Sequence, residues 1–375
     1  MSDSNSSRRR LRVGIVGGGE QSAVGRTHRL AQRVSERFDL VAGAFDIDAA
    51  RGRRYAATHF VPADRTYDGV KELIAGERAR PDPVDLVCVL TPNNTHFEIA
   101  RSLVDAGFNV LCEKPMTTQV SEADTLVRDV AKRQLVFGVM YGYSGYPMIA
   151  QAREVVQSGE IGRIRTIQSE FAFGLPVNLK EDPQGHWRTK KGIAGDSAVV
   201  GMIGTHVVYL ARVISGLAVE QVAADFRSYV DGRQLEDNAN MMLRFQDGVT
   251  GMMWNSYIAA GIDNGLKIRF FGEAGGLEWD HESPNQLKLY KPGKPRQTLT
   301  QASRVSNASA PEGFVECFAG VYRQLADAIE AKDPKARAAL HYPSVVDGAE
   351  GVRFVAAAVE SSKRNAAWVD LRALS

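Results

Sequence analysis

At 375 residues, 44% of them hydrophobic and 24% charged, the chain is long enough for about two domains with sizeable cores. A net charge of +2, with Lys and Arg dispersed along the sequence, argues against nucleic acid or an anionic membrane surface as partner. No apolar run nears the roughly 20 residues of a membrane span, and the three cysteines, Cys88, Cys112 and Cys317, lie far apart with no disulfide or metal-type spacing.

The opening MSDSNSSRRR reads as a polar, disordered tail. Its arginines run straight into RVGIVGGG rather than into the apolar stretch and cleavage site of a targeting signal. From residue 11 to 142 the sequence alternates compact, valine-rich runs with amphipathic stretches. The runs LRVGIVG, FDLVAGAF, VDLVCVL, NVLCEK and QLVFGVMY predict parallel strands buried on both faces. Cys88 and Cys112 fall inside two of them, as small buried hydrophobes of a reducing cytoplasm would. The intervening segments predict helices, two of them opening with capping-box pairs, Thr95 with Glu98 and Ser121 with Asp124. Repeated strand–helix alternation predicts a doubly wound parallel sheet with right-handed crossovers, an α/β dinucleotide-binding fold of the Rossmann type over residues 11–142.

Residues 143–375 have a different texture. A helix from Pro147 to about Ser158 leads into long alternating segments, IRTIQSEFAF through QLKLY, with Gln246-Asp247-Gly248 marking a hairpin turn. They predict a large, mostly antiparallel open sheet in an α+β domain for substrate binding and oligomerisation. Helices near 202–215, 312–331 and 344–361 are expected to cover one face. The polar, Pro- and Ser-containing stretch 292–311 reads as a surface loop.

The first strand runs directly into Gly17-Gly18-Gly19. Glycines between a strand and a helix let backbone N–H groups approach a pyrophosphate at the positive end of the helix. Gly17 and Gly19 hold the first two positions of the fingerprint, Ser22 stands at the third, and Gly25 is available for close helix packing. The second strand ends at Asp46, placed to accept hydrogen bonds from an adenosine ribose and so to favour NAD. Asp46 or Asp48 also suits the cap of the next helix. Arg51, Arg53 and Arg54 keep NADP open.

Further along stand Thr91-Pro92-Asn93 with His96, Glu113-Lys114-Pro115, GYSGYP (142–147), WRT (187–189), IGTH (203–206) and LEDNA (235–239). In these the chain resembles the Gfo/Idh/MocA oxidoreductases along essentially its full length, and within them the pyranoside- and levoglucosan-dehydrogenase-type members. The resemblance implies hydride transfer between nicotinamide and a secondary hydroxyl of a sugar, glycoside or cyclitol. Lys114 would stabilise charge on the reacting oxygen and His206 would act as base. Thr91, Pro92, Asn93, His96 and Glu113 would border the cofactor, His96 by capping or supporting contacts. Tyr143, Trp187 and Arg188 would line the sugar site, although Trp187-Arg188 also suits a cation–π surface pair. His28, inside the first amphipathic helix, takes a structural reading.

One position departs from the family pattern. The residue four before His206, an Asp in relatives, is Met202. Either the substrate presents an apolar group there, or Asp196 supplies the carboxylate from the preceding loop. The departure also leaves room for a redox-neutral lyase or hydrolase that retains its NAD, or for a non-catalytic NAD or sugar sensor. No metal site is expected. A homodimer or homotetramer formed through the open sheet is.

Overall fold

The computed structural model describes residues 9–22, 24–174, 186–300 and 312–374. The first sheet is parallel and five-stranded, in the order β2-β1-β3-β4-β5. Its strands are β1 (Leu11–Gly17), β2 (Phe38–Ala44), β3 (Leu86–Leu90), β4 (Val110–Cys112) and β5 (Phe137–Val139). All five residues of β3 are buried, as the valine-rich run requires of a strand covered on both sides. The helices between them are α1 (Gly25–Ser35), α2 (Ala49–Thr58), α3 (Val70–Arg78), α4 (His96–Asp105) and α5 (Val120–Arg133). This is the predicted doubly wound α/β fold.

Two helix starts differ from the capping pairs expected of them. The Thr95 hydroxyl is spent on Thr91 Oγ1 and the Pro92 carbonyl, both at 2.7 Å, so it does not cap α4. At α5 the capping box is Gln119 with Glu122, whose carboxylate accepts the Gln119 N–H at 3.1 Å. Ser121 already lies inside the helix.

After α6 (Pro147–Gln157) comes the second sheet, nine-stranded and mostly antiparallel, in the order β13-β12-β11-β10-β6-β9-β8-β7-β14. Its central strands are β6 (Ile164–Ala172), β9 (Thr250–Ser256) and β10 (Gly265–Gly272). β6 pairs parallel with β9 and antiparallel with β10. β7 (Val219–Arg227) and β8 (Asn238–Phe245) continue one side, and β11 (Gly276–Asp280) and β12 (Gln286–Tyr290) the other. The predicted hairpin at 246–248 joins β8 to β9, with Asp247 at φ 59°. The segment expected as a loop contributes a strand, β13 (Gln297–Thr300), and its remainder, 301–311, lies outside the described residues. A two-residue strand, β14 (Val369–Asp370), closes the β7 edge.

α8 (Thr205–Ser215) packs on α6 and β6 below the sheet, preceded by the one-turn α7 (Lys191–Ala194) and a π-helical turn at Val200–Gly204. The last long helices bridge the two sheets. α9 (Phe314–Glu330) lies along α1, the short α10 (Pro334–Ala338) follows, and α11 (Val345–Lys363) packs on both α5 and β7. Residues from both sheets and their helices share one hydrophobic core, including Ile15, Leu111, Ile167, Phe270 and Phe354. No helix among the described residues is long and apolar enough to cross a membrane.

Candidate active site

The glycine turn is pressed against the neighbouring strand ends. Gly17 takes φ +79°, and a Cβ on it would stand 2.7 Å from the Leu90 carbonyl oxygen. A Cβ on Gly25 would lie 2.0 Å from the Gly18 oxygen, so Gly25 supplies the close helix–turn packing that Ser22 cannot. Ser22 instead accepts the Gly25 N–H on its hydroxyl at 3.1 Å. The first turn of α1 carries no acidic residue and no side-chain cap from Val24, which leaves the positive helix end open to an anion.

Around this turn lies a cleft of about 260 Å³, lined by Gly17–Gly19, Ser22, Asp46, Arg51, Thr91 and Pro92, and also by Trp187 and Arg188. A second, largely apolar cavity of about 220 Å³ shares Gly17, Asp46, Ile47, Thr91 and Pro92 with it, and extends to Ile99. The pair forms a continuous groove in which Asp46 lines both parts, and its residues fit a dinucleotide. Asp46 accepts two hydrogen bonds from the Arg51 guanidinium, both at 2.7 Å, and one from the Asp48 N–H at 2.9 Å. The Arg51 contacts hold its carboxyl below the usual range against the opposing effect of burial. Asp48 caps α2 by accepting the Arg51 N–H at 3.0 Å. The capping role therefore falls on Asp48, and Asp46 is left to face the cleft.

Val24 lines this cleft and also a third cavity of about 250 Å³. Lys114 and His206 face the same space, with Glu113, Tyr143, Met202, Asp263 and Asn264. Phe171, Phe173, Phe314 and Phe318 make much of its wall. Lys114 Nζ donates to the backbone carbonyl of Met202 at 2.6 Å. Burial draws its pKa from 10.5 down to about 8, Arg188 adding to the effect and Glu113 opposing it. A change of that size is worth roughly 3 kcal/mol against the charged form. His206 is 6% exposed, and its pKa is pulled well below 6.5 by burial and by the charge of Lys114. Its Nδ1 has no hydrogen-bond partner among the described residues. Tyr143 meets the imidazole edge-to-face at 5.0 Å and its hydroxyl bonds Asn264 at 3.2 Å.

The remaining motif residues build the supports. Glu113 accepts a hydrogen bond from His28 Nε2 at 2.9 Å and from the Lys114 N–H at 3.1 Å. His28 Nδ1 in turn lies 2.7 Å from the Tyr322 hydroxyl, to which Gln32 donates at 2.9 Å. One set of donor directions satisfies this chain: Gln32 to Tyr322, Tyr322 to His28, His28 to Glu113. Although burial pushes the Glu113 pKa up, the His28 contact and the neighbouring charges bring it below 4.5. His96 joins the end of β3 to the Lys114 turn, its ring nitrogens 2.9 Å from the Pro115 carbonyl and 2.8 Å from that of Thr91. Asn93 is buried, donates to the Ala194 carbonyl at 3.1 Å and lies 3.6 Å from Met202 Sδ. Neither Asn93 nor His96 lines any of the three cavities. In the LEDNA segment, Glu236 accepts the N–H groups of Val199 at 2.9 Å and Val200 at 3.3 Å, anchoring the start of the helix that carries Met202 and His206.

Trp187 and Arg188, expected at the sugar site, form a cation–π pair at 5.1 Å and line the dinucleotide cleft. Asp196 pairs with Lys191 at 3.3 Å and is absent from the lining of the Lys114 cavity. Asp263 and Asn264, which do line it, escaped the sequence reading. A larger cavity of about 610 Å³, beside Tyr209 and Arg337, contains none of the motif residues. Among the described residues no cluster of His, Cys, Asp and Glu is arranged to hold a metal ion.

Comparison with known proteins agrees with this geometry. Residues 11–141 match the oxidoreductase family with an NAD-binding Rossmann fold, and residues 149–278 match the GFO/IDH/MocA C-terminal domain. The chain is 35% identical to the uncharacterized oxidoreductase YfiI of Bacillus subtilis, over 96% of this chain and 97% of that protein. It is 27% identical to the levoglucosan dehydrogenase of Pseudarthrobacter phenanthrenivorans, over 74% of this chain and 76% of that protein. An inositol dehydrogenase homolog from Azotobacter vinelandii, solved with NAD+, superposes with a TM-score of 0.93 at 37% identity, covering 99% of this chain and 100% of the other. A second structure of an inositol dehydrogenase homolog from that organism, with NADH and myo-inositol, gives a TM-score of 0.90 over 96% and 98%. With both sheets, the glycine cleft and these matches in agreement, the chain belongs to the Gfo/Idh/MocA family of NAD-binding oxidoreductases.

Proposed function

We propose that this protein is a dehydrogenase that oxidises a secondary hydroxyl of a sugar, glycoside or cyclitol. The observation that carries the reading is the Lys114–His206 cavity, which meets the dinucleotide cleft at Val24. Bound NAD supplies the hydride acceptor. Lys114 Nζ, held by the Met202 carbonyl, keeps as the free amine one N–H and its lone pair for the reacting hydroxyl. With a pKa near 8 it can take up the hydroxyl proton close to neutral pH. His206 is neutral there and offers an uncharged imidazole beside it. The phenylalanine walls suit the C–H faces of a ring. The similarity to levoglucosan dehydrogenase and to an inositol dehydrogenase homolog solved with myo-inositol supports a ring polyol as substrate.

The exposed side chains of Met242, Met252 and Trp254 on paired strands β8 and β9 support assembly of two or four copies through the open sheet. Sedimentation over a range of concentrations tests that point.

The reading is tested by NADH absorbance after mixing the protein with NAD+ and a panel of pyranosides, anhydrosugars and inositols. A rise with one class establishes the dehydrogenase and its substrate class. Conversion of a glycoside without NADH release would replace it with a redox-neutral lyase or hydrolase. Tight NADH binding with no chemistry on any of them would leave a sensor.

A further inference from the structure

Two carboxylates line the cavity of Lys114 and His206, and they are not equivalent. Glu113 is buried and engaged by His28 and by the Lys114 N–H. Asp263, on the segment joining β9 to β10, is exposed and makes no hydrogen bond or ion pair with another described side chain. Its segment is nonetheless held in place. The Gly174 N–H donates to the Ile262 carbonyl at 2.9 Å, and the next residue, Asn264, bonds the Tyr143 hydroxyl at 3.2 Å. Tyr143 in turn rests against His206.

The position four residues before His206 cannot supply a carboxylate. Met202 gives the cavity a thioether and gives its carbonyl to Lys114. Of the described lining residues, Lys114 is the one cation, with no arginine and no second lysine. A phosphorylated or carboxylated substrate would meet Glu113 and Asp263 with no arginine and no second lysine in the lining, a like-charge encounter. Ring hydroxyls, by contrast, are hydrogen-bond donors, and a carboxylate with two oxygens can accept from two adjacent ones.

We propose that Asp263 is the specificity-determining carboxylate of this site, accepting hydrogen bonds from adjacent hydroxyls of a neutral, unphosphorylated ring polyol. This rests on the dehydrogenase reading above and adds to it the residue and the charge class of the substrate.

The test uses full-length wild type, Asp263→Asn and Asp263→Glu. Each is assayed with NAD+ and myo-inositol, D-glucose, levoglucosan and D-glucose 6-phosphate. Binding of the same compounds to the protein–NADH complex is read separately by calorimetry. Asp263→Asn should raise KM for the best neutral polyol about tenfold or more, with kcat within about threefold and NADH affinity unchanged. Asp263→Glu should recover part of the loss. D-Glucose 6-phosphate should be a poorer ligand than D-glucose for wild type, and the gap should narrow in Asp263→Asn. Unchanged polyol binding in Asp263→Asn overturns the proposal, as does weakened NADH binding with kcat and KM damaged together. The calorimetric arm keeps the outcomes separate. Polyol binding that depends on Asp263 without any NADH production supports this contact while removing the dehydrogenase reading.

Discussion

Lys114 Nζ and the backbone carbonyl of Met202 are joined by a 2.6 Å hydrogen bond. The carbonyl comes from a π-helical turn, Val200–Gly204, where the ordinary i to i−4 ladder is interrupted. The lysine is therefore tethered by a neutral dipole rather than by a carboxylate. A dipole orients an ammonium but stabilises its charge less than an anion would, so burial governs and the pKa falls to about 8. In the proposed oxidation the free amine is the competent form. Activity should rise with pH to a plateau, with an apparent pKa near 8, while the reverse reduction falls over the same range. Lys114→Met should cost roughly 10³-fold in kcat and leave NADH affinity within about threefold. A flat rate profile between pH 6 and 9 would remove Lys114 as the proton acceptor.

Met202→Asp tests the same tether from the other side. A carboxylate at 202 would sit next to Asn93 Nδ2, now 3.6 Å from the thioether, and one turn from His206. An anion there favours the charged forms of Lys114 and His206, so the apparent pKa of oxidation should move up by about one unit. Activity on polyhydroxylated sugars should increase if the missing acceptor limits them. An unshifted pH profile, with no gain on any sugar, would show that residue 202 communicates with neither base.

His28 bears on the site through Glu113. Glu113's carboxyl is held below 4.5 in the fold, so its contribution is complete above that pH and is lost as the pH falls through its folded value. At pH 7 the full contribution is present. His28→Leu would leave a buried carboxylate one donor short, at a cost of roughly 3 kcal/mol. Urea unfolding at pH 7 reads that loss. Adding Glu113→Gln should recover much of it, since the uncompensated charge is gone. Additive losses within about 0.5 kcal/mol would mean that the two residues do not support each other.

The division between legible and illegible residues follows from how far each signal reaches along the chain. Valine-rich runs specify buried strands locally, and β1 to β5 appear where those runs stand. Gly17 and Gly25 are legible because the turn's backbone conformation and packing leave no room for a Cβ. The segment at 297–300 reads as loop because its residues, exposed or half-buried, carry no apolar alternation, yet β12 templates it as an edge strand. His28 is a histidine on a helix face in the sequence, and its partners Glu113 and Tyr322 lie 85 and 294 positions away. Asp263 sits in a short Gly-Ile-Asp-Asn-Gly segment with no motif, and only the sheet brings it to Lys114. Trp187 and Arg188 carry no signal of which end of the groove they face, and tertiary packing places them along the dinucleotide cleft.

We propose that cofactor choice turns on Asp46 and Arg51. Two guanidinium hydrogen bonds hold Asp46 ionised where it lines both parts of the groove. Each carboxylate oxygen can accept more than one hydrogen bond, so the pair can still receive a ribose diol. A 2′-phosphate would meet the carboxylate first, and repulsion there disfavours NADP. Asp46→Ser should therefore weaken NAD and release Arg51 to face a phosphate. The ratio of kcat/KM for NAD+ to that for NADP+ should fall by at least about tenfold, the equivalent of roughly 1.4 kcal/mol. Arg51→Ala in the same background should take the gained NADP activity away again. If Asp46→Ser leaves the ratio unchanged, the acidic residue at the end of β2 serves the helix start alone, and discrimination lies elsewhere along the groove.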